Sequence, residues 1–120
     1  MEVVSADQPR NVLVVDDESI IRQAMKMILR FDGHNTEVAA SAEDALAAMQ
    51  RKAFDIVFLD FHMPGTTGDA VAHTIKTNDP KQPVVFVTGY LPKPRSADVD
   101  LVIDKPFSIG DIRGAISRFT

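Results

Sequence analysis

Cysteine is absent from this chain of 120 residues. Disulfides, thiolate metal sites and cysteine nucleophiles are excluded with it. Long apolar runs are also missing. The longest, Ala45–Met49, is five residues, far short of the roughly 20 needed to cross a bilayer as a helix. The opening stretch, MEVVSADQPR, lacks the basic and apolar regions of a secretion signal, so the expected compartment is the cytoplasm, without membrane insertion. Positive charge is not in excess. Thirteen Lys and Arg stand against 17 Asp and Glu, a net charge of −4, which argues against direct nucleic-acid binding and against an anionic membrane surface. There is no internal repeat and no low-complexity segment. What is present is ordinary for a globular domain: 45% apolar and 25% charged residues, enough chain for one domain with its own core.

The apolar residues come in short runs that end in polar ones. Asn11–Val15 precedes Asp16 and Asp17, Ile56–Leu59 precedes Asp60, Val84–Val87 precedes Thr88, and Leu101–Ile103 leads towards Lys105. Continuous apolar runs of this length fit strands buried on both faces. Asn35–Ala40 is a weaker strand. Between the runs lie helical patterns. Ser19 to Phe31 places Ile20, Ile21, Ala24, Met25, Ile28 and Leu29 at helical spacing, with Asp32–Gly33 as its stop. Ser41 with Asp44, and Ser108 with Asp111, resemble capping boxes. The first opens an alanine-rich helix closing near Lys52. The second opens a last helix striped by Ile109, Ile112, Ile116 and Phe119. A third helix is expected over Asp69–Thr77, after a loop from Phe61 to Thr67.

Alternating strands and helices predict a doubly wound α/β fold. Right-handed crossovers leave few arrangements. In strand order 2-1-3-4-5, with helices on both faces, the first and third strands are neighbours. Asp16, Asp17 and Asp60 then meet at the switch point where such sheets bind ligands. Residues 1–10 are expected to form a flexible lead-in and residues 11–120 the domain.

Taken singly, each of these polar residues has a plain structural explanation. Acids favour helix N-termini, and a lone threonine or lysine is common on a surface. Gathered together, they change character. Carboxylates within about 5 Å of each other repel by several kcal/mol at an effective dielectric near 20. Mg²⁺ relieves this, accepting a few carboxylates while keeping several waters. A carboxylate also serves as a nucleophile towards a phosphoryl donor, and a nearby hydroxyl and ammonium suit phosphoryl oxygens. Phosphoryl transfer asks mainly for positioning and charge neutralisation.

The segments VLVVDDE, DIVFLDFHMPGTTG, VVFVTGY and IDKPF stand in an order and spacing that closely resemble response-regulator receiver domains over nearly the whole chain. The resemblance implies a flavodoxin-like fold and a role in two-component phosphorelay. It implies that Asp60 is the phosphoacceptor and that Thr88 and Lys105 bind the phosphoryl group. It implies that Mg²⁺ (or Mn²⁺) is held by Asp17, Asp60 and the backbone carbonyl of His62, with Asp16 acting through water. His62 and Tyr90 fall where the family tunes dephosphorylation, and a cis peptide is expected before Pro106. The implied donor is a histidine kinase or histidine phosphotransfer protein, and the implied target an unknown downstream protein. Such a domain catalyses its own phosphorylation and dephosphorylation. The chain reads as a stand-alone receiver or as a piece of a longer kinase or regulator.

Two departures from the family pattern fall on its usual output face. The connection from Thr88 to Lys105 is short and carries Pro92 and Pro94, which forbid a regular helix at its start. The fourth helix is therefore expected to be absent, or a turn near Ser96–Val99. Receivers usually carry Tyr or Phe three residues before the lysine, where this chain has Val102. Tyr90 is the expected substitute, gating the crevice. Two further functions compete: an interaction module that keeps the fold without phosphate, and a small Mg²⁺-dependent phosphatase. The intact acidic set disfavours the first. The lack of a second catalytic acid beside Asp60 and of a substrate-enclosing cap disfavours the second. A flavodoxin is poorer still, because its first loop would cradle phosphate with hydroxyls, where this one presents Asp-Asp-Glu.

Overall fold

The computed structural model describes residues 8–89 and 98–120. In chain order its elements are β1 (Asn11–Val15), α1 (Ser19–Phe31), β2 (Asn35–Ala39), α2 (Ala42–Arg51), β3 (Ile56–Asp60), β4 (His62–Met63), β5 (Thr66–Thr67), α3 (Gly68–Asn78), β6 (Val84–Thr88), β7 (Leu101–Asp104) and α4 (Ile109–Phe119). The five longer strands form one parallel sheet in the order β2-β1-β3-β6-β7. This is the expected order 2-1-3-4-5 of a doubly wound α/β fold.

Alternation along the strands separates two cores. Leu13, Val15, Val57, Leu59, Val84 and Phe86 face α2 and α3, meeting Ala45, Ala48, Val71, Ala72 and Ile75. Val12, Val14, Ile56, Phe58, Val85, Val87 and Ile103 face α1 and α4, meeting Met25, Leu29, Ile112, Ala115 and Ile116. Because both faces are covered, the strands read as unbroken apolar runs. Phe58 and Phe86, fully buried on opposite faces, each contribute about 1.5–3 kcal/mol through burial.

The helix ends follow the sequence signals. Ser41 accepts the Asp44 amide at 3.1 Å, and Thr67 accepts the Ala70 amide at 3.4 Å. Ser108 and Asp111 form a reciprocal capping box. At the end of α1, Gly33 takes φ +89° and its amide bonds back to the Arg30 carbonyl; a side chain there would be strained. Arg113 of α4 grips the buried Asp32 with two hydrogen bonds, at 2.8 and 2.9 Å, and so ties the last helix to the end of α1.

Several boundaries differ from expectation. Strands β3, β6 and β7 each run one residue further, through Asp60, Thr88 and Asp104. Strand pairing is a backbone matter, so a polar side chain at the end of a run does not stop it. The loop after Asp60 holds an antiparallel hairpin, β4 with β5, turned at Gly65 with φ +81°. The expected lead-in is bonded to the domain at its end: the Arg10 amide donates to His34 Nδ1 at 3.0 Å, and its guanidinium to the Thr120 carbonyl at 2.7 Å. Among the described residues there are four helices. Asp98–Asp100, before β7, are not helical, and Val99 packs against the α2–α3 core. Residues 90–97, with Tyr90 and the first half of the turn expected near Ser96–Val99, lie outside the described residues.

Candidate functional site

Register brings the polar strand ends together. Val15 pairs with Leu59, Asp60 with Val87, and Thr88 with Asp104. The residues that follow β1 and β7 therefore emerge beside the last residues of β3 and β6. Three of these groups are buried in spite of their polarity: Asp16 is 2% exposed, Asp60 4% and Thr88 1%. Asp17 and Glu18 are exposed at the start of α1.

Lys105 joins the set. Its ammonium lies 2.9 Å from Asp16 Oδ2, 3.4 Å from Asp60 Oδ1 and 3.9 Å from Glu18 Oε1. Its amide donates to the Thr88 carbonyl at 2.8 Å, which locks the start of the segment after β7 onto β6. The peptide between Lys105 and Pro106 is cis.

Asp16 is held on every side. Its Oδ1 accepts the Glu18 amide at 2.9 Å, its amide bonds the Ala39 carbonyl at 3.1 Å, and its carbonyl accepts Arg22 Nη1 at 2.8 Å. Asp60 is less well supplied. Its Oδ1 accepts the His62 amide at 3.4 Å in addition to facing Lys105. Burial, and then the charge of Asp16, push its carboxyl up from 3.8 to about 6, against the opposing pull of Lys105. Burial pulls the Lys105 ammonium down, but its hydrogen bond to Asp16 and the charges of Asp16 and Asp60 outweigh this and leave it raised. The edge thus holds more carboxylate than one ammonium balances.

Carboxylate oxygens of Asp16, Asp17 and Glu18 lie within 4.8 Å of one another. Asp60 stands beside this trio and reaches it through Lys105. An all-oxygen donor set with excess negative charge fits a hard divalent cation such as Mg²⁺. The His62 side chain is exposed, and its ring meets Phe61 edge-on at 4.8 Å.

Structure adds residues that the motifs left unassigned. Glu18 is the third acid of the trio. Arg22 braces the loop through its bond to the Asp16 carbonyl, a contact to backbone that no side-chain spacing in the sequence marks. Gly68 lets α3 begin against the acid-bearing strand: a Cβ there would sit 2.8 Å from Phe61 Cα and 3.2 Å from the Asp60 carbonyl.

Comparison with known proteins agrees with this geometry. Residues 12–117 match the family described as Response regulator receiver domain. The chain is 36% identical over 110 residues to TcrX of Mycobacterium tuberculosis, covering 88% of this chain and 47% of TcrX. Among solved structures, NtrX of Brucella abortus superposes with TM-score 0.86 at 33% identity, covering 93% of this chain and 27% of that one. TrrA of Thermotoga maritima, crystallised in complex with Mg²⁺-BeF, superposes with TM-score 0.85 at 27% identity, covering 92% and 99%. The chain spans less than half the length of TcrX and about a quarter of the NtrX chain. Among the described residues no helix is long and apolar enough to cross a membrane.

Proposed function

The chain belongs to the response regulator receiver domain family of two-component signalling, and on that premise we propose that Asp60 accepts a phosphoryl group from a phosphohistidine. Receiver domains interact with histidine kinases. The donor here is a histidine kinase or a histidine phosphotransfer protein, the compartment is the cytoplasm, and the signal passes to a separate downstream protein.

In the proposed step an Asp60 carboxylate oxygen attacks phosphorus. The new O–P bond forms as the P–N bond to the donor imidazole breaks, and the imidazole leaves with the electron pair. The observation that carries this reading is Lys105, whose ammonium bridges Asp16 at 2.9 Å and Asp60 at 3.4 Å on a buried edge. That cation is in place to take a phosphoryl oxygen as charge moves onto the acceptor. Thr88, at the adjacent strand end, supplies a hydroxyl to a second oxygen. Asp16 fixes Lys105 and is itself fixed by the Glu18 amide.

Asp17, Asp60 and the His62 carbonyl would hold Mg²⁺ (or Mn²⁺) directly and Asp16 through water; once bound, the ion neutralises phosphoryl charge. The acidic trio of Asp16, Asp17 and Glu18 supports such a site, as does the relative TrrA in its complex with Mg²⁺-BeF. The raised Asp60 carboxyl fits the same reading, because a buried nucleophilic carboxylate that burial disfavours gains most from a cation beside it.

Incubation with acetyl phosphate and Mg²⁺ tests the proposal. Intact-mass measurement should show one added phosphoryl group on the wild-type chain and none on Asp60→Asn. An unmodified wild-type chain under these conditions would mean that the fold serves as a binding module without phosphate.

A further inference from the structure

The acidic edge lies at the ends of the strands. At the opposite edge, beside the start of β1, a cavity of about 610 Å³ opens between the end of α1 and α4. Small-molecule sites span roughly 300–1,000 Å³. Leu29, Ile112 and Ile116, all from the α1–α4 core, give the cavity an apolar wall. Its charged and titratable lining is Arg10, Asp32, His34 and Arg113.

His34 gives this cavity a chemistry. The residue is only 8% exposed. Its Nδ1 accepts the Arg10 amide at 3.0 Å, so the neutral ring carries its proton on Nε2. Burial pulls the pKa of the ring down; Asp32 opposes this, Arg10 reinforces it and Asp55 opposes it. The Nε2–H has no acceptor among the described residues. Arg113 donates from Nε and Nη2 to the two oxygens of Asp32, at 2.8 and 2.9 Å, and its Nη1 has no acceptor among the described residues. Arg10 is committed to the Gln8 side chain and the Thr120 main chain. The cavity thus presents two open N–H donors, one neutral and one cationic, while both Asp32 oxygens are already engaged. An ionised carboxylate accepts without donating and matches both. A hydroxyl brings a donor of its own and no charge to set against the guanidinium.

From this we propose that the cavity binds a small aliphatic carboxylate, its oxygens on His34 Nε2 and Arg113 Nη1 and its chain against Leu29, Ile112 and Ile116. Leu29 belongs to α1 and the other two apolar residues to α4, so the ligand touches both helices. The site is separate from the acidic edge and does not depend on the role of Asp60.

The test is NMR of the full chain at neutral pH, observing histidine rings and leucine and isoleucine methyls during titration with hexanoate. Signals of His34, Leu29 and Ile112 should move together along one saturating curve. Hexanol has the same chain without the charge, and acetate the charge without the chain. Each should bind about tenfold more weakly, as expected for the loss of one charge-assisted bond or of the apolar contact. His34→Asn keeps an acceptor for the Arg10 amide but lacks the second ring nitrogen, and should weaken hexanoate by about tenfold. Ser117→Trp, at an exposed position lining the cavity, should block binding. A wild-type chain with no saturable shift would overturn the proposal, and that result needs no variant to fold. Hexanol binding as tightly as hexanoate would overturn it too, since the cavity would then be an apolar cleft without a carboxylate site. Undiminished hexanoate binding by a folded His34→Asn chain would do the same. Asp60→Asn should bind hexanoate as the wild type does, which keeps this outcome distinct from that of the acetyl phosphate experiment.

Discussion

Asp60→Asn should stabilise the protein at neutral pH when divalent cations are removed. Asp60 is 4% exposed and its carboxyl lies at about 6 in the fold, against an ordinary 3.8. The fold therefore favours the neutral acid. Between these two values the folded chain binds more protons at this site than the unfolded chain, so stability falls as pH rises through the window. Above it the full penalty applies. The gap, at about 1.4 kcal/mol for each pH unit, amounts to about 3 kcal/mol. The influence of Lys105 is already contained in that figure, since the pull of its charge and hydrogen bond helps to set the value of about 6. Asparagine has the shape of the neutral acid without its ionisation. Urea unfolding in chelator should place the Asp60→Asn midpoint higher than wild type at pH 7 by about 1–3 M, given a slope of about 1–3 kcal/mol/M for a small protein. The difference should shrink steadily below pH 6 and be nearly gone at pH 4. Titrations of groups distant from Asp60 cancel between the two proteins. Equal midpoints at pH 7, or a difference that does not change with pH, would refute the reasoning.

Two further substitutions probe how the edge is held. Lys105→Gln should destabilise the protein at pH 7 by about 3 kcal/mol in the same urea series, because Asp16 at 2.9 Å and Asp60 at 3.4 Å lose their shared cation; an unchanged midpoint would mean that the acids are already relieved by other groups. Gly68→Ala should cost about 1–3 kcal/mol in thermal or urea unfolding, since its methyl would meet the Phe61 backbone at 2.8 Å. A neutral result there would show that α3 can shift away from the strand end without loss.

Much of the fold was legible because burial on both faces leaves a simple mark. Val12–Val15 and Ile56–Leu59 have no polar side chain to interrupt them, since helices cover both sides of the sheet. The helix starts at Ser41 and Ser108 were legible because a cap is a local bond between residues three apart. The strand ends were less so: Asp60, Thr88 and Asp104 continue their ladders, and side-chain polarity says nothing about backbone pairing. The β4–β5 hairpin rests on two pairs of residues, too short a stretch for any periodicity to show. Gly68 has no signal in the sequence; only the close approach of the Phe61 backbone gives it a reason.

The set Asp16, Asp17, Asp60, Thr88 and Lys105 was determined by the sequence alone, because each residue ends or closely follows an apolar run and parallel strands send all such ends to one edge. Tertiary structure decided how they are shared out. Only the register of β1, β3 and β7 puts Lys105 between Asp16 and Asp60, from residues 89 positions apart in the first case. Only burial separates the inward Asp16 and Asp60 from the exposed Asp17 and Glu18, although three of the four are the same amino acid. A side chain's charge is written in the chain, whereas its desolvation and its neighbours come from segments distant in sequence.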